Sequence, residues 1–150
     1  MKLDQQLLDE VADCLSGGGR NYAVFLRLYQ VSTAQTTDSQ ECIREALGQG
    51  VVVGGIEDVS AELVCSQVEA SLRFAGDEAA GPCRSLLSSD QLQNWLTEVQ
   101  AGLLELAGTS RTIQQFWLQE GHPAYPVFWD FGFLFFRSET ISILVGASSD

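Results

Sequence analysis

The sequence contains one histidine (His122), one lysine (Lys2) and three prolines among 150 residues. One imidazole cannot build a histidine-rich metal set. The four cysteines, Cys14, Cys42, Cys65 and Cys83, show neither a C-x-x-C pair nor zinc-ribbon spacing, so neither a metal nor another cofactor is expected. Long apolar runs are missing as well. "AYPVFW", "FGFLFF" and "ISILVGA" all fall far short of a bilayer span, so no membrane association is expected. The opening stretch "MKLDQQLLDEVADCL" carries carboxylates where an export signal needs an apolar segment. That points to a cytoplasmic protein whose thiols stay reduced. Positive charge is scarce too. Eight basic residues face twenty carboxylates, a net charge of −12. Such a field repels phosphate backbones and attracts basic proteins, which argues against nucleic-acid binding.

The remaining composition is that of an ordinary globular chain, 45% hydrophobic and 19% charged, with a length that suits one domain over residues 1–150. Leu7, Leu8, Val11, Cys14 and Leu15 recur at helical spacing over 3–15, and "SGGGRN" then breaks the helix. "NYAVFLRLYQV" (21–31) fits a strand by its aromatic and β-branched content, although Tyr22, Phe25, Leu26 and Tyr29 also share a helical face. Asp38 and Glu41 cap a short helix that ends at Gly48 and Gly50. "VVVGGI" suits a short strand or a turn, and Ala61, Cys65, Val68, Leu72 and Ala75 stripe a helix over about 58–75. Residues 76–85 read as a loop. Ser88 with Gln91 opens a long helix to about 107, and a further helix is expected over 110–119.

Beyond Pro126 the period changes from helical to alternating. With Ser138 and Glu139 as a turn, Phe133 faces Leu144, Phe131 faces Gly146 and Gly132 faces Val145, so large side chains meet small or aliphatic ones. Ser-Glu is a poor two-residue turn, which leaves room for slippage. The fold class is therefore α+β: a helix-dominated domain packed on a small antiparallel sheet that includes a C-terminal hairpin.

Candidate chemistry is sparse. "HPAYPVFWDFGFLFF" holds His122 and Asp130 eight residues apart, with Trp117, Tyr125 and Trp129 nearby in sequence. These five form a candidate ligand pocket or acid–base pair, yet no nucleophile context accompanies them. The alternative is structural: Asp130, flanked by Trp129 and Phe131, is a buried carboxylate paired to backbone amides or to Arg27. "GQGVVVGG" lacks the Lys and Ser/Thr of a phosphate loop. Cys83, in "GPCR", is the one thiol expected in a loop, where Arg84 could lower its pKa.

The acids are biased to the first half, where residues 1–78 hold thirteen carboxylates against five basic groups. Glu57, Asp58, Glu62, Glu69, Asp77 and Glu78 cluster around one helix and the loop after it. These features favour a non-enzymatic, bacterial protein-binding module, monomer or homodimer, that docks a basic partner through those six acids. An immunity-type antagonist of a basic toxin or nuclease is the sharpest form. A small enzyme or ligand-binding protein using the His122 region is the alternative.

Overall fold

Helix α1 (Gln5–Ser16) begins where the Asp4 carboxylate accepts the Leu7 N–H at 2.9 Å, and it buries Leu7, Leu8, Val11, Ala12 and Leu15 along one face. The computed structural model describes residues 2–18, 20–77 and 79–150. Strand β1 (Ala23–Ser32) is followed by α2 (Ser39–Leu47), capped by Asp38 through the Glu41 N–H. Next come β2 (Val52–Asp58), α3 (Ala61–Leu72), the single turn α4 (Arg84–Leu87) and α5 (Asp90–Gly108). Ser89, one residue beyond the expected Ser88, caps α5 by accepting the Leu92 N–H. Strands β3 (Thr112–Glu120), β4 (Trp129–Phe136) and β5 (Thr140–Ser149) complete the chain.

The five strands form one antiparallel sheet in the order β1-β5-β4-β3-β2. The β4–β5 hairpin has the register expected from the sequence, with Phe133 opposite Leu144, Phe131 opposite Gly146 and Gly132 opposite Val145. Gly146 leaves the space that the Phe131 ring occupies, so a side chain there would collide with it. The poor Ser138–Glu139 turn is held from outside. Arg137 N–H bonds the Thr140 carbonyl at 3.0 Å, while Thr33 bonds the Glu139 carbonyl through its N–H and the Ser138 carbonyl through its hydroxyl.

Both faces of the sheet are apolar because both are covered. One face presents Leu26, Phe131, Phe133, Phe135 and Leu144 to α1, α3 and α5. The other presents Val31, Leu134, Phe136, Ile141, Ile143 and Val145 to Cys42 and Ile43 of α2. The α+β class holds, and the sheet gains a strand at the expense of the helix expected over 110–119. That segment is β3. Thr109 and Ser110 hydroxyls donate to the Leu106 carbonyl and end α5. Ile113 then packs with one face of the sheet, whereas Phe116 and Leu118 pack with the other, a two-residue alternation that a helix could not supply.

The two outer strands differ. On β1, the Gln5 side chain of α1 donates to the Leu26 carbonyl at 2.9 Å and accepts the Leu28 N–H at 2.8 Å. Ser16 Oγ accepts the Val24 N–H at 3.0 Å. Helix α1 thus covers the Val24–Leu28 part of that edge with side chains that stand in for a neighbouring strand.

Candidate functional site

Strand β2 is the other edge. The Val59 N–H bonds the Ile113 carbonyl, and Glu57 and Gly55 lie opposite Gln115 and Trp117 in the same register. Antiparallel alternation therefore turns the backbone groups of Glu57 and Gly55 toward β3, and those of Ile56 and Asp58 outward. Among the described residues, no backbone or side-chain hydrogen bond outside the β2–β3 ladder reaches the backbone of residues 52–58. Register shifts bend the strand at Val52/Val53 and Val53/Gly55, so Gly55–Asp58 is its regular part.

The two acids of this stretch point to opposite faces and are held by their cross-strand neighbours. Gln115 Nε2 donates to Glu57 Oε1, and Gln114 Nε2 donates to Asp58 Oδ1 at 3.1 Å. Gln114 is itself fixed by the Ser39 hydroxyl of α2, which donates to its Oε1. Each carboxylate is oriented through one oxygen, and both residues are exposed. Beside them the Trp117 indole, 48% exposed, lies across Gly54 and Gly55, where a side chain would run into it. The edge therefore offers an exposed aromatic surface, a regular run of outward backbone groups, and one carboxylate on each side. Reading 110–119 as helix concealed Gln114 and Gln115. Their β-branched lead-in, Thr112-Ile113, was the available strand signal.

The other expected acids follow β2 in the chain, on α3 and in the segment after it. Glu62 is exposed in the first turn of α3, where the positive end of the helix dipole favours it. Glu69 lies two turns further on and bonds Arg73 Nε at 3.1 Å. Asp77 closes a turn by accepting the Ala79 and Ala80 N–H groups, with the Ala80 bond foremost in holding its carboxyl below the usual range. Glu78 lies outside the described residues.

The aromatic pocket divides. His122, Asp130, Phe116, Trp117, Leu118 and Gly132 line a recess where the β3–β4 ladder ends, beyond Gln115 and Phe133. It has room for about one water molecule, and none of its lining residues carries a hydroxyl or thiol. Trp129 lies on the opposite face, stacked on Phe131, with its Nε1 donating to the Tyr22 hydroxyl at 2.8 Å. Tyr125 is 83% exposed in the segment between β3 and β4. Asp130 is exposed rather than buried, because alternation places it at the open end of its face. Arg27, the partner expected for it, lies instead over the Phe25 ring, 5.8 Å from the centroid.

The His122 ring stands edge-on to Phe25, and its Nδ1 lies 2.9 Å from the Ala124 nitrogen, whose N–H it accepts in the neutral ring, and 3.2 Å from the Ala124 carbonyl, to which it donates when protonated. Burial holds its pKa below the ordinary 6.5, against the upward pull of the Asp130 charge and the Ala124 backbone. Because the folded pKa is depressed, this histidine's stabilising contribution is present above pH 6.5 and is lost as pH falls through the folded value. Asp130→Asn should lower the His122 pKa further, followed by NMR titration of the sole imidazole, while changing stability by less than about 0.5 kcal/mol. An unmoved or raised pKa would show that the Asp130 charge does not act on the ring.

No cysteine is bridged to another. Burial pushes the Cys14, Cys42 and Cys65 thiols up. Cys83 moves down, and the cause is the Ser85 hydroxyl first, then the Leu86 and Ser85 N–H groups, rather than Arg84. Limiting iodoacetamide at neutral pH should alkylate Cys83 first, read by peptide mass mapping. Faster labelling of any other cysteine would contradict this ordering.

Among the described residues, no cluster of three or more His, Cys, Asp or Glu side chains is placed to hold a metal, and no helix is long and apolar enough to cross a membrane. No known family model, curated protein or solved structure matches the chain.

Proposed function

We propose that this protein is a small, acidic, non-enzymatic binding module that engages a basic protein through the surface around β2. Its sharpest form is a neutralising antagonist of a basic toxin or nuclease in a bacterial cytoplasm. One observation supports the reading: Glu57 and Asp58, both exposed, are each fixed by a glutamine of β3 through one carboxylate oxygen, on an outer strand whose outward backbone groups have no partner among the described residues. A net charge of −12 adds long-range attraction for a basic partner and opposes self-association. The recess at His122 and Asp130, with space for about one water, supports no substrate-binding reading.

The test uses the tagged protein as bait in extract of the cells that encode it, with bound proteins eluted by a salt gradient. The expected outcome is a basic protein released by salt, whose binding is lost in a Glu57→Lys/Asp58→Lys variant. A partner retained by that variant, or one indifferent to salt, would reject this surface.

A further inference from the structure

We infer that the partner is taken as a strand: an extended basic segment adds to β2 as the sixth strand of the sheet, with two adjacent basic side chains beside Glu57 and Asp58. This inference rests on the basic-partner reading above and specifies how the edge would hold that partner.

Among the described residues, the two outer strands differ in how far helix side chains occupy their outward backbone groups. At β1, Gln5 and Ser16 bond the Val24 N–H, the Leu26 carbonyl and the Leu28 N–H, so an incoming strand would have to displace them there. At β2, the outward groups of Ile56 and Asp58 have no hydrogen-bond partner among the described residues. Two outward-facing residues separated by one present the spacing that a neighbouring strand pairs with. The bulges confine regular pairing to Gly55–Asp58, so the contact would be short and would need side-chain support.

That support sets the chemistry of the occupant. Side chains of an added strand alternate between the faces of the sheet. Because Glu57 and Asp58 lie on opposite faces, neighbouring residues of the incoming strand meet one carboxylate each. Consecutive arginines or lysines satisfy both; a strand with alternating charges would satisfy only one. The Glu57 and Asp58 oxygens not bonded by Gln115 and Gln114 are the ones available to them. On the Glu57 side, the exposed Trp117 indole over Gly54 and Gly55 offers a flat surface for an apolar or guanidinium side chain next along the strand. A second copy of this chain fits poorly, since it would bring another net charge of −12 against the edge.

The experiment titrates the intact protein with two synthetic peptides of equal length and charge. One is rich in threonine and valine, with two central arginines; in the other, prolines interleave the same arginines and prevent strand formation. Binding is read by NMR together with residue-resolved amide exchange. The strand-forming peptide should slow exchange at Ile56 and Asp58 and leave Gly55 and Glu57, already bonded to β3, unchanged. It should bind at least about tenfold more tightly than the proline peptide. Equal binding of the two, with Ile56 and Asp58 exchange unaffected, would overturn strand addition while leaving charge-driven docking intact. Failure of both peptides to bind would also overturn it, and the bait experiment would then judge the basic-partner reading on its own. Protection of Ile56 that rises with protein concentration, without peptide, would assign the edge to a second copy and likewise overturn the proposal.

Discussion

Replacing Phe133 by alanine should destabilise the protein by about 3–5 kcal/mol. The side chain is fully buried at the middle of the central strand β4, stacked on Phe131 at 5.7 Å and opposite Leu144. β4 is paired on both sides, by β3 and β5, so its backbone cannot move in to fill the space left behind. The α3 and α5 side chains above it, among them Val64, Val68, Leu96 and Val99, are themselves buried and leave little freedom to repack. Chemical denaturation of the purified variant gives the value directly. A loss below about 1 kcal/mol would mean that the helical layer closes over the missing ring, contrary to the packing described.

The second large effect concerns association rather than folding. Reversing both edge acids, Glu57→Lys with Asp58→Lys, should slow binding of a basic partner more than tenfold at low salt and change dissociation less. Exposed charges act mainly on the approach of the two molecules. The difference should shrink as ionic strength rises toward about 0.5 M, where screening shortens the reach of each charge. Glu69→Lys supplies the internal comparison, since that carboxylate already faces Arg73 two turns along α3. Surface-plasmon kinetics across a salt series would separate the two rates, with circular dichroism to verify folding. Equal slowing by Glu69→Lys would disperse the site over the acidic surface in general. An effect confined to dissociation would replace steering with a buried contact.

The local sequence carried much of this structure. The hairpin register followed from alternation together with a turn at Ser138 and Glu139, which sets Phe131 opposite Gly146 and Phe133 opposite Leu144; alternation alone leaves it open, since Trp129, Phe131, Phe133 and Phe135 would each put a ring against Gly146 after a two-residue shift. The cap at Asp38 and the stripe along α1 were equally local, since a carboxylate, a free N–H and a four-residue spacing are close in the chain, whereas Asp4, expected inside the first helix, is its cap. The acidity of the β2 end was legible too, but its geometry was not.

Tertiary structure decided the remainder. Ile113, Phe116 and Trp117 satisfy helical spacing, and they form a strand because β2 and β4 offer backbone partners on both sides, which no local pattern records. Once β3 is a strand, Gln114 and Gln115 meet Asp58 and Glu57 from 56 and 58 residues away, a pairing that chain distance hides. Asp130 sits between two aromatic residues, yet ends exposed because the β3–β4 ladder stops before reaching it. Openness of an edge is likewise a property of the assembled sheet. Gln5 and Ser16 cover the Val24–Leu28 part of β1 only because α1 packs beside that strand, and β2 stays open because among the described residues no element supplies such side chains there.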